Sequence, residues 1–151
     1  MIYFLLVVVI VIIDQISKYY AEILLFGKSS FKLVEGVFHL TYARNTGAAF
    51  SIFRDNQIFL KSITIVVMIF LMFYLMKLVR ENGQILFKIS ISFILGGGLG
   101  NLIDRLRFDY VIDYFDFTLI DFAIFNVADS FVVVGTIILG YLILFNKVEV
   151  N

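Results

Sequence analysis

The sequence predicts an integral membrane protein that is mainly α-helical, with four transmembrane helices and a small extracytoplasmic β-sheet between helices 1 and 2. The chain of 151 residues is 62% hydrophobic and its mean hydropathy is +1.01. A soluble protein this apolar would expose large hydrophobic patches to water. Four apolar stretches are each long enough to cross a bilayer, which takes about 20 residues. Between the first two stretches, side chains alternate with the period of a β-strand.

The first predicted helix covers residues 2–26 and contains an acidic and a basic residue within its apolar run. Asp14 and Lys18 are four residues apart, so their side chains lie on one face and can neutralise each other. We interpret Asp14 as the partner in a structural ion pair or in a hydrogen bond to another helix. A direct catalytic role is the alternative, since ionisable groups inside membranes are often functional.

The segment after this helix predicts a short β-hairpin and a close-packed loop. Residues 37–42 alternate between aromatic or β-branched and other side chains, and the preceding pair Glu35-Gly36 is a suitable turn. Such a sheet would rest on the bilayer or cover a site. Small residues then follow from Thr46 to Ser51, interrupted by Phe50, and allow close approach of another group to the backbone.

The remaining apolar stretches predict helices at residues 58–79, 85–103 and 125–145, all within a single domain of residues 1–151. Glycines close the third stretch, and glycine lets neighbouring membrane helices pack tightly. Four spans place both termini on the same side of the membrane. The turn at residues 77–88 is dense in Lys and Arg, which favours the cytoplasmic side for that turn and for the termini.

Composition excludes several kinds of site. The chain has no cysteine and a single histidine, His39, so we expect no disulfide, thiolate nucleophile or multi-histidine metal site. A serine triad needs a histidine beside the serine, and His39 lies in the predicted hairpin, far from Ser130 in sequence. No calcium-binding loop spacing is present. We therefore expect no metal or cofactor, and the net charge of zero gives no indication of nucleic-acid binding.

Acidic residues concentrate in residues 101–129, which hold six of the eight aspartates and two copies of Asn-x-x-Asp. Carboxylates at a membrane boundary are costly, so this cluster needs an explanation. Two neighbouring aspartates cannot both ionise cheaply and share one proton. One can then take a proton from water while the other protonates or polarises a scissile carbonyl. The cluster therefore favours an aspartyl peptidase site.

Asp129 is the clearer member of the predicted pair. It begins the fourth apolar stretch, and Asn126 lies three residues earlier on the same helical face, where it could orient the carboxylate. Other aspartates of this region are interpreted as surface or turn residues; these are Asp109, Asp116 and Asp121.

Asp104 and Asp113 compete for the second position. Arg105 and Arg107 follow Asp104, and a nearby cation keeps a carboxylate ionised instead of poised to share a proton. Asp113 lies in an apolar run, where a carboxylate is costly unless it has a role. We therefore favour Asp113 as the partner of Asp129, with a purely structural carboxylate network as the alternative.

The chain also resembles lipoprotein signal peptidase, or signal peptidase II, over nearly its whole length. Four short blocks match in order between the four predicted spans, and their order is more specific than any one block. The blocks are Asp14-Gln15-Ile16-Ser17-Lys18, Asn45-Thr46-Gly47-Ala48-Ala49-Phe50-Ser51, Gly100-Asn101-Leu102-Ile103-Asp104-Arg105 with Val111-Ile112-Asp113, and Phe125-Asn126-Val127-Ala128-Asp129-Ser130.

The resemblance implies a bacterial cytoplasmic-membrane enzyme, with both termini inside and its active site towards the outer face. It would cut prolipoproteins before the diacylglyceryl-modified cysteine, with prolipoprotein signal peptides and membrane lipids as its partners. It would use Asp113 and Asp129 as catalytic residues. Family positions that line or support the site correspond to Asn45, Gly47, Asn101, Arg105 and Asn126, and structural supports to Asp14, Lys18 and Asp104.

The chain departs from the family pattern in three ways. Tyr114 stands where phenylalanine is usual, an aromatic-proline pair before Phe125 is absent, and the interval between Asp113 and Asp129 is short. Two other classes remain as alternatives. A small ion or proton transporter would also carry intramembrane carboxylates, although mid-span, and a structural membrane protein would give Asp113 no role.

Overall fold

The computed structural model describes residues 1–47, 56–81 and 83–145. Within them lie four helices that are long and apolar enough to cross a membrane. A 24-residue helix such as the first spans about 36 Å at 1.5 Å per residue. The elements in chain order are α1 (Ile2–Leu25), β1 (Phe31–Val34), β2 (Phe38–Asn45), α2 (Gln57–Arg80), α3 (Ile85–Phe108), β3 (Val111–Asp116) and α4 (Val127–Phe145).

Helix α3 is the most buried helix and packs against each of the other three. Three consecutive glycines make this possible, because residues of a helix point about 100° apart. A Cβ on Gly96 would lie 2.9 Å from Ile10 of α1, and one on Gly98 would lie 2.6 Å from Met68 of α2. A Cβ on Gly97 would overlap the Ala128 carbonyl oxygen of α4. Tight packing at the predicted glycine cluster is therefore confirmed.

The outward faces of the other helices are apolar and uncovered. On α2, Val66, Phe70 and Phe73 are each more than 60% exposed, and α1 and α4 expose similar side chains. Hydrocarbon is the solvent in which such faces are stable, while the polar groups that the structure buries face the inside of the bundle.

The three strands form one antiparallel sheet in the order β1-β2-β3. The predicted hairpin is present, with β1 and β2 joined near Glu35 and Gly36. Strand β3 was not predicted from the sequence; it lies between α3 and α4 and pairs with β2. Val111 to Tyr114 are all buried, so this strand lacks the alternation of a half-exposed one.

Predicted helix boundaries agree with α1 and α2 to within one residue, but two others were wrong. The third span was predicted to end at residue 103, whereas α3 continues to Phe108. Asp104 and Arg105 ended the apolar run without ending the helix, because both side chains have partners in other elements. The fourth was predicted to begin at residue 125, yet Phe125 pairs with Phe115 and α4 begins at Val127.

Candidate active site

Strand β3 and the start of α4 bring Asp113 and Asp129 to one place. Phe125 exchanges backbone hydrogen bonds with Phe115, at 2.8 and 3.1 Å, and accepts another from Tyr114 at 3.0 Å. These bonds hold the chain just before α4 against the end of β3. The two aspartates are 16 positions apart in the sequence. Because of these bonds, both lie close to one residue of the intervening segment.

That residue is Asn126, which is fully buried and contacts both carboxylates. Its Nδ2 donates to Asp113 Oδ1 at 2.6 Å, and its backbone N–H donates to Asp129 Oδ2 at 3.1 Å. Its Oδ1 accepts from the Asp129 backbone N–H at 2.9 Å, as a helix N-cap does. Asn126 thus begins α4 and fixes both carboxyl groups with the same side chain and backbone unit.

Asp113 is held from its other side by β2. Asn45 pairs with Val111 in the sheet, which makes it a diagonal neighbour of Asp113 on the same face. Asn45 Nδ2 donates to Asp113 Oδ2 at 3.0 Å. Burial, with a further contribution from the charge of Asp129, raises the pKa of Asp113 to about 7, against the opposing effect of these amide hydrogen bonds. Asp113 can therefore carry a proton near neutral pH, where an ordinary aspartate is ionised.

Asp129 is held by α3. Asn101 Nδ2 donates to Asp129 Oδ1 at 2.8 Å. The side-chain oxygen of Asn101, Oδ1, accepts hydrogen bonds from Lys18 Nζ at 2.8 Å and from Asn126 Nδ2 at 3.2 Å. Asn101 therefore connects a buried cation on α1 to a carboxylate on α4.

Asp14 and Asp104 lie behind the pair, around the ammonium group of Lys18. Its Nζ lies 2.9 Å from Asp14 Oδ2 and 3.0 Å from Asp104 Oδ2, and all three side chains are at most 2% exposed. Asp14 Oδ1 accepts from the Ala128 backbone N–H at 3.0 Å, and Asp104 Oδ2 accepts from the Ile112 N–H at 3.2 Å. The structure therefore shows the ion pair predicted between Asp14 and Lys18. The cation beside Asp104 is Lys18, which the sequence argument from its arginine neighbours did not identify.

Arg105 points towards the loop after β2. Its Nη2 donates to the Gly47 carbonyl oxygen at 2.9 Å, and its Nε is buried without a hydrogen-bond partner among the described residues. Residues 48–51 of the second sequence block lie outside the described residues. Arg105 is thus placed to contact a further group at the site.

The remaining three aspartates of residues 101–129 lie away from the pair. Asp109 and Asp121 adopt left-handed backbone conformations at the ends of α3 and of the short 3₁₀ turn at Thr118–Ile120. Asp116, at the end of β3, accepts a hydrogen bond from Thr41 at 2.7 Å. The predicted placement as surface or turn residues is confirmed for Asp109 and Asp121, whereas Asp116 is the half-buried last residue of β3. Within the described part of the chain, no group of three or more His, Asp or Glu residues could hold a metal ion.

Sequence analysis assigned no role to two side chains that support the site. Gln15 Nε2 donates to Asp104 Oδ1 at 2.9 Å and to the Gly100 carbonyl oxygen at 3.2 Å. Tyr114 donates from its hydroxyl to Ser17 Oγ at 2.7 Å, which gives a partner to the hydroxyl that phenylalanine lacks. Burial raises the pKa of Tyr114 to about 12, so this hydroxyl stays protonated at neutral pH. The position of Gln15 beside Asp14 was the available signal.

Comparisons with known proteins identify the family of this chain. The family described as "Signal peptidase (SPase) II" matches residues 6–145. The lipoprotein signal peptidase of Caldanaerobacter subterraneus subsp. tengcongensis is 46% identical over 140 residues, covering 93% of this chain and 94% of that protein. The lipoprotein signal peptidase of Clostridioides difficile is 39% identical over 145 residues, covering 96% of each.

A solved structure described as a bacterial membrane enzyme has the same fold. It superposes with a TM-score of 0.86 at 32% identity, covering 99% of this chain and 93% of its own. The four spanning helices, the sequence relatives and the shared fold lead to one conclusion: this multi-pass membrane peptidase belongs to the signal peptidase II family.

Proposed function

We propose that this protein is an aspartyl endopeptidase that removes the signal peptide from diacylglyceryl-modified prolipoproteins, cleaving before the lipidated cysteine. The observation that supports the aspartyl mechanism is the contact of Asp113 and Asp129 with one buried asparagine. Relatives at 39–46% identity are lipoprotein signal peptidases, which supports the substrate class. The residues proposed as catalytic are Asp113 and Asp129, which act without metal or cofactor.

The proposed reaction is hydrolysis by water activated between the two carboxyl groups. The ionised carboxylate takes one proton from water, the remaining hydroxyl oxygen bonds to the scissile carbonyl carbon, and the protonated carboxyl gives its proton to the carbonyl oxygen. A neutral gem-diol results. Return of a proton to the amide nitrogen, with removal of one from the gem-diol, breaks the C–N bond. The products are a carboxylic acid and an amine, and the original charges are restored.

The depth of the site supports its role on a membrane-embedded peptide. Lys18 lies seven residues before the end of α1, and Asn101 seven before the end of α3, which corresponds to about 10 Å along each helix. Water is scarce at this depth, so fixed donors act strongly on the developing charge. A signal peptide whose cleavage site lies just inside the bilayer would reach the two aspartates laterally.

The sheet supports an orientation in which the site faces the outer surface. Strand β1 exposes Phe31, Leu33 and Val34 by half or more, so this part of the sheet is suited to the membrane interface. Arg44 lies over the rings of Phe26 and Tyr110, each at 4.9 Å, and such side chains suit the boundary of bilayer and water. We place this end outside and the α2–α3 turn, with both chain termini, in the cytoplasm.

A transporter is less consistent with the same side chains. The buried carboxylates Asp14, Asp104 and Asp113 gather at one end of the bundle, and the described residues contain no succession of buried acids leading to the other end. Proton or ion pathways need polar groups through the whole membrane depth.

The substrate assignment is tested by comparing two forms of one prolipoprotein, with and without the diacylglyceryl group. Purified enzyme in detergent micelles should cleave the lipidated form and leave the other intact, and mass spectrometry should place the cut before the lipidated cysteine. Equal cleavage of both forms, or a cut elsewhere, would contradict the proposed specificity.

A further inference from the structure

The ammonium group of Lys18 is the only buried cation that contacts the amide network of the described site. Its Nζ has three partners, Asp14, Asp104 and Asn101, at 2.8 to 3.0 Å. An ammonium group has three protons, so these partners use its whole donor capacity. The third partner is a neutral amide, although two carboxylates already more than balance the single positive charge. Through the side chain of Asn101, the ammonium group is hydrogen-bonded to a residue that itself donates to Asp129.

Asn101 is polarised by this arrangement. Its carbonyl oxygen accepts from Lys18 and from Asn126, and its Nδ2 donates to Asp129. Hydrogen bonds in such a chain strengthen one another, above all in a buried, weakly polar environment. The Asn101 amide is therefore a stronger donor to Asp129 than an isolated amide would be.

Asp113 receives no equivalent donor. Its two hydrogen bonds come from the neutral amides of Asn45 and Asn126, and its side chain lies on a strand, which has only a small dipole. Asp129 instead lies in the first turn of α4, where the positive end of the helix dipole stabilises negative charge. Asp129 is also partly exposed, whereas Asp113 is 2% exposed.

The surrounding charges include two cations that act on both members of the pair. Lys18 from α1 and Arg105 from α3 act on Asp129 and on Asp113, and Lys18 is joined to Asp129 by the hydrogen-bonded amide of Asn101. The other buried acids, Asp14 and Asp104, contact Lys18 directly. Strand β2 contributes the uncharged Asn45, and its Arg44 is turned towards aromatic rings. Two cations thus face four carboxylates, and one proton on Asp113 reduces the excess of negative charge.

We propose that Lys18 acts through the Asn101 amide as a positioning residue that keeps the negative charge of the pair on Asp129 and leaves the proton on Asp113. This inference rests on the proposed function and assigns the two roles within it. Asp129 takes the proton from the attacking water, and Asp113 gives its proton to the carbonyl oxygen. In the second step Asp129 returns its proton to the leaving nitrogen while Asp113 recovers one from the gem-diol.

The distribution of charge can be observed without substrate. In enzyme labelled with ¹³C at the aspartate carboxyl carbon, the resonances of Asp113 and Asp129 are assigned by comparison with the single Asn variants. The Asp113 carbon should move to the ionised position as the pH rises through about 7, with the Asp129 carbon already ionised on the acid side of that step. If the chemical shift near pH 7 changes for the Asp129 carbon instead, or equally for both carbons, the proposal is overturned.

Replacement of Lys18 tests the relay itself. In Lys18→Met, the acid limb of kcat/KM should move to higher pH, together with the titration of the Asp129 carbon resonance. Lys18→Arg should restore the parental values. The matched control is Lys61→Met, which removes the same charge from α2, where Lys61 pairs with Asp109 at 2.6 Å. An unchanged Asp129 titration in folded Lys18→Met would refute the relay.

The titration experiment gives a result even if Lys18→Met does not fold or if the proposed substrate is not cleaved. If Lys18→Met does not fold, the titration of the parental enzyme still decides where the proton lies. If the purified enzyme fails to cleave lipidated prolipoprotein, the proposed function is contradicted, and the titration, which uses no substrate, is unaffected by that result.

Discussion

Asn126 connects the two carboxyl groups of the site. It contacts Asp113 through its side-chain amide and Asp129 through its backbone N–H, and it also caps α4. A buried amide with this many partners is costly to replace, because each lost bond leaves a buried polar group unsatisfied. The distance between the two carboxylates is therefore fixed by the fold before any substrate binds.

The raised pKa of Asp113 predicts how activity depends on pH. Burial and the charge of Asp129 raise this pKa from 3.8 to about 7, so the proton needed for donation to the carbonyl is lost as the pH rises through about 7. We expect kcat/KM to fall about tenfold per pH unit above this value. Initial rates across a pH series, with recovery of activity on return to neutral pH as the control, check this. A flat profile well into the alkaline range would contradict it.

Contacts within one helix could be predicted from the sequence, whereas contacts between distant residues of the site could not. The spacing of Asp14 and Lys18 predicted their ion pair, since that contact lies within one helix. The contact of Lys18 with Asn101 joins residues 83 positions apart, and no local pattern indicates it. No local pattern indicates the contact between Gln15 and Asp104 either. The catalytic and supporting roles of the site residues stay predictions.

At the scale of elements, the packing of α3 against α4 positions the site. Gly97 lets the α3 backbone approach the Ala128 carbonyl of α4, one residue before Asp129. Gly100, one turn further along α3, would place a Cβ 2.5 Å from the Asp14 carboxylate. Each contact requires the absence of a side chain, so the glycines of α3 determine how closely Asp14 and the start of α4 approach α3.

Gly97→Ala should therefore destabilise the protein and reduce activity. An added methyl group in a tight contact costs about 1–3 kcal/mol, and more where backbone must move. Separation of the helices would also move Asp129 away from Asn101, so we expect kcat/KM to fall at least about tenfold. Thermal unfolding and turnover in detergent measure both effects.

Gly140→Ala is the matched control on α4. A Cβ there would meet nothing within 4 Å, so this variant should keep its activity. It should melt at the parental temperature or slightly above, because alanine is favoured in helices by about 1 kcal/mol over glycine. Equal melting temperatures for Gly97→Ala and Gly140→Ala would show that the α3–α4 contact is not as close as described.

The elements themselves differ in how well the sequence predicts them. The helices were predicted because each needs a long apolar run, which is a local property. Strand β3 was missed because the strand is short, buried on both faces and paired with a strand 66 or more positions earlier. The end of α3 was misplaced because Asp104 and Arg105 are stabilised by distant partners.

At the scale of the whole molecule, the four helices place the aspartate pair near one end of the helix bundle. The ends of α1 and α3 and the beginnings of α2 and α4 lie at the end of the bundle that carries the sheet. The turn between α2 and α3 lies at the opposite end, with Lys77 and Arg80 in the last turn of α2. Basic residues are enriched in cytoplasmic turns, which supports the proposed orientation.

Single cysteines can test this orientation, because the chain contains no natural cysteine. Thr118→Cys lies beside the sheet and Glu81→Cys follows α2, and both positions are exposed. A membrane-impermeant maleimide should label Thr118→Cys in right-side-out vesicles and Glu81→Cys in inverted vesicles. The reverse pattern would contradict the orientation without affecting the fold.

The central claim is that Asp113 and Asp129 together activate water for peptide hydrolysis. The most direct test is cleavage of a lipidated prolipoprotein by purified Asp113→Asn and Asp129→Asn, beside Asp121→Asn, a control at an exposed turn. Each of the first two should lose activity by ~10³-fold or more while still unfolding cooperatively, and the control should cleave normally. Near-normal turnover by either Asp113→Asn or Asp129→Asn would contradict the account.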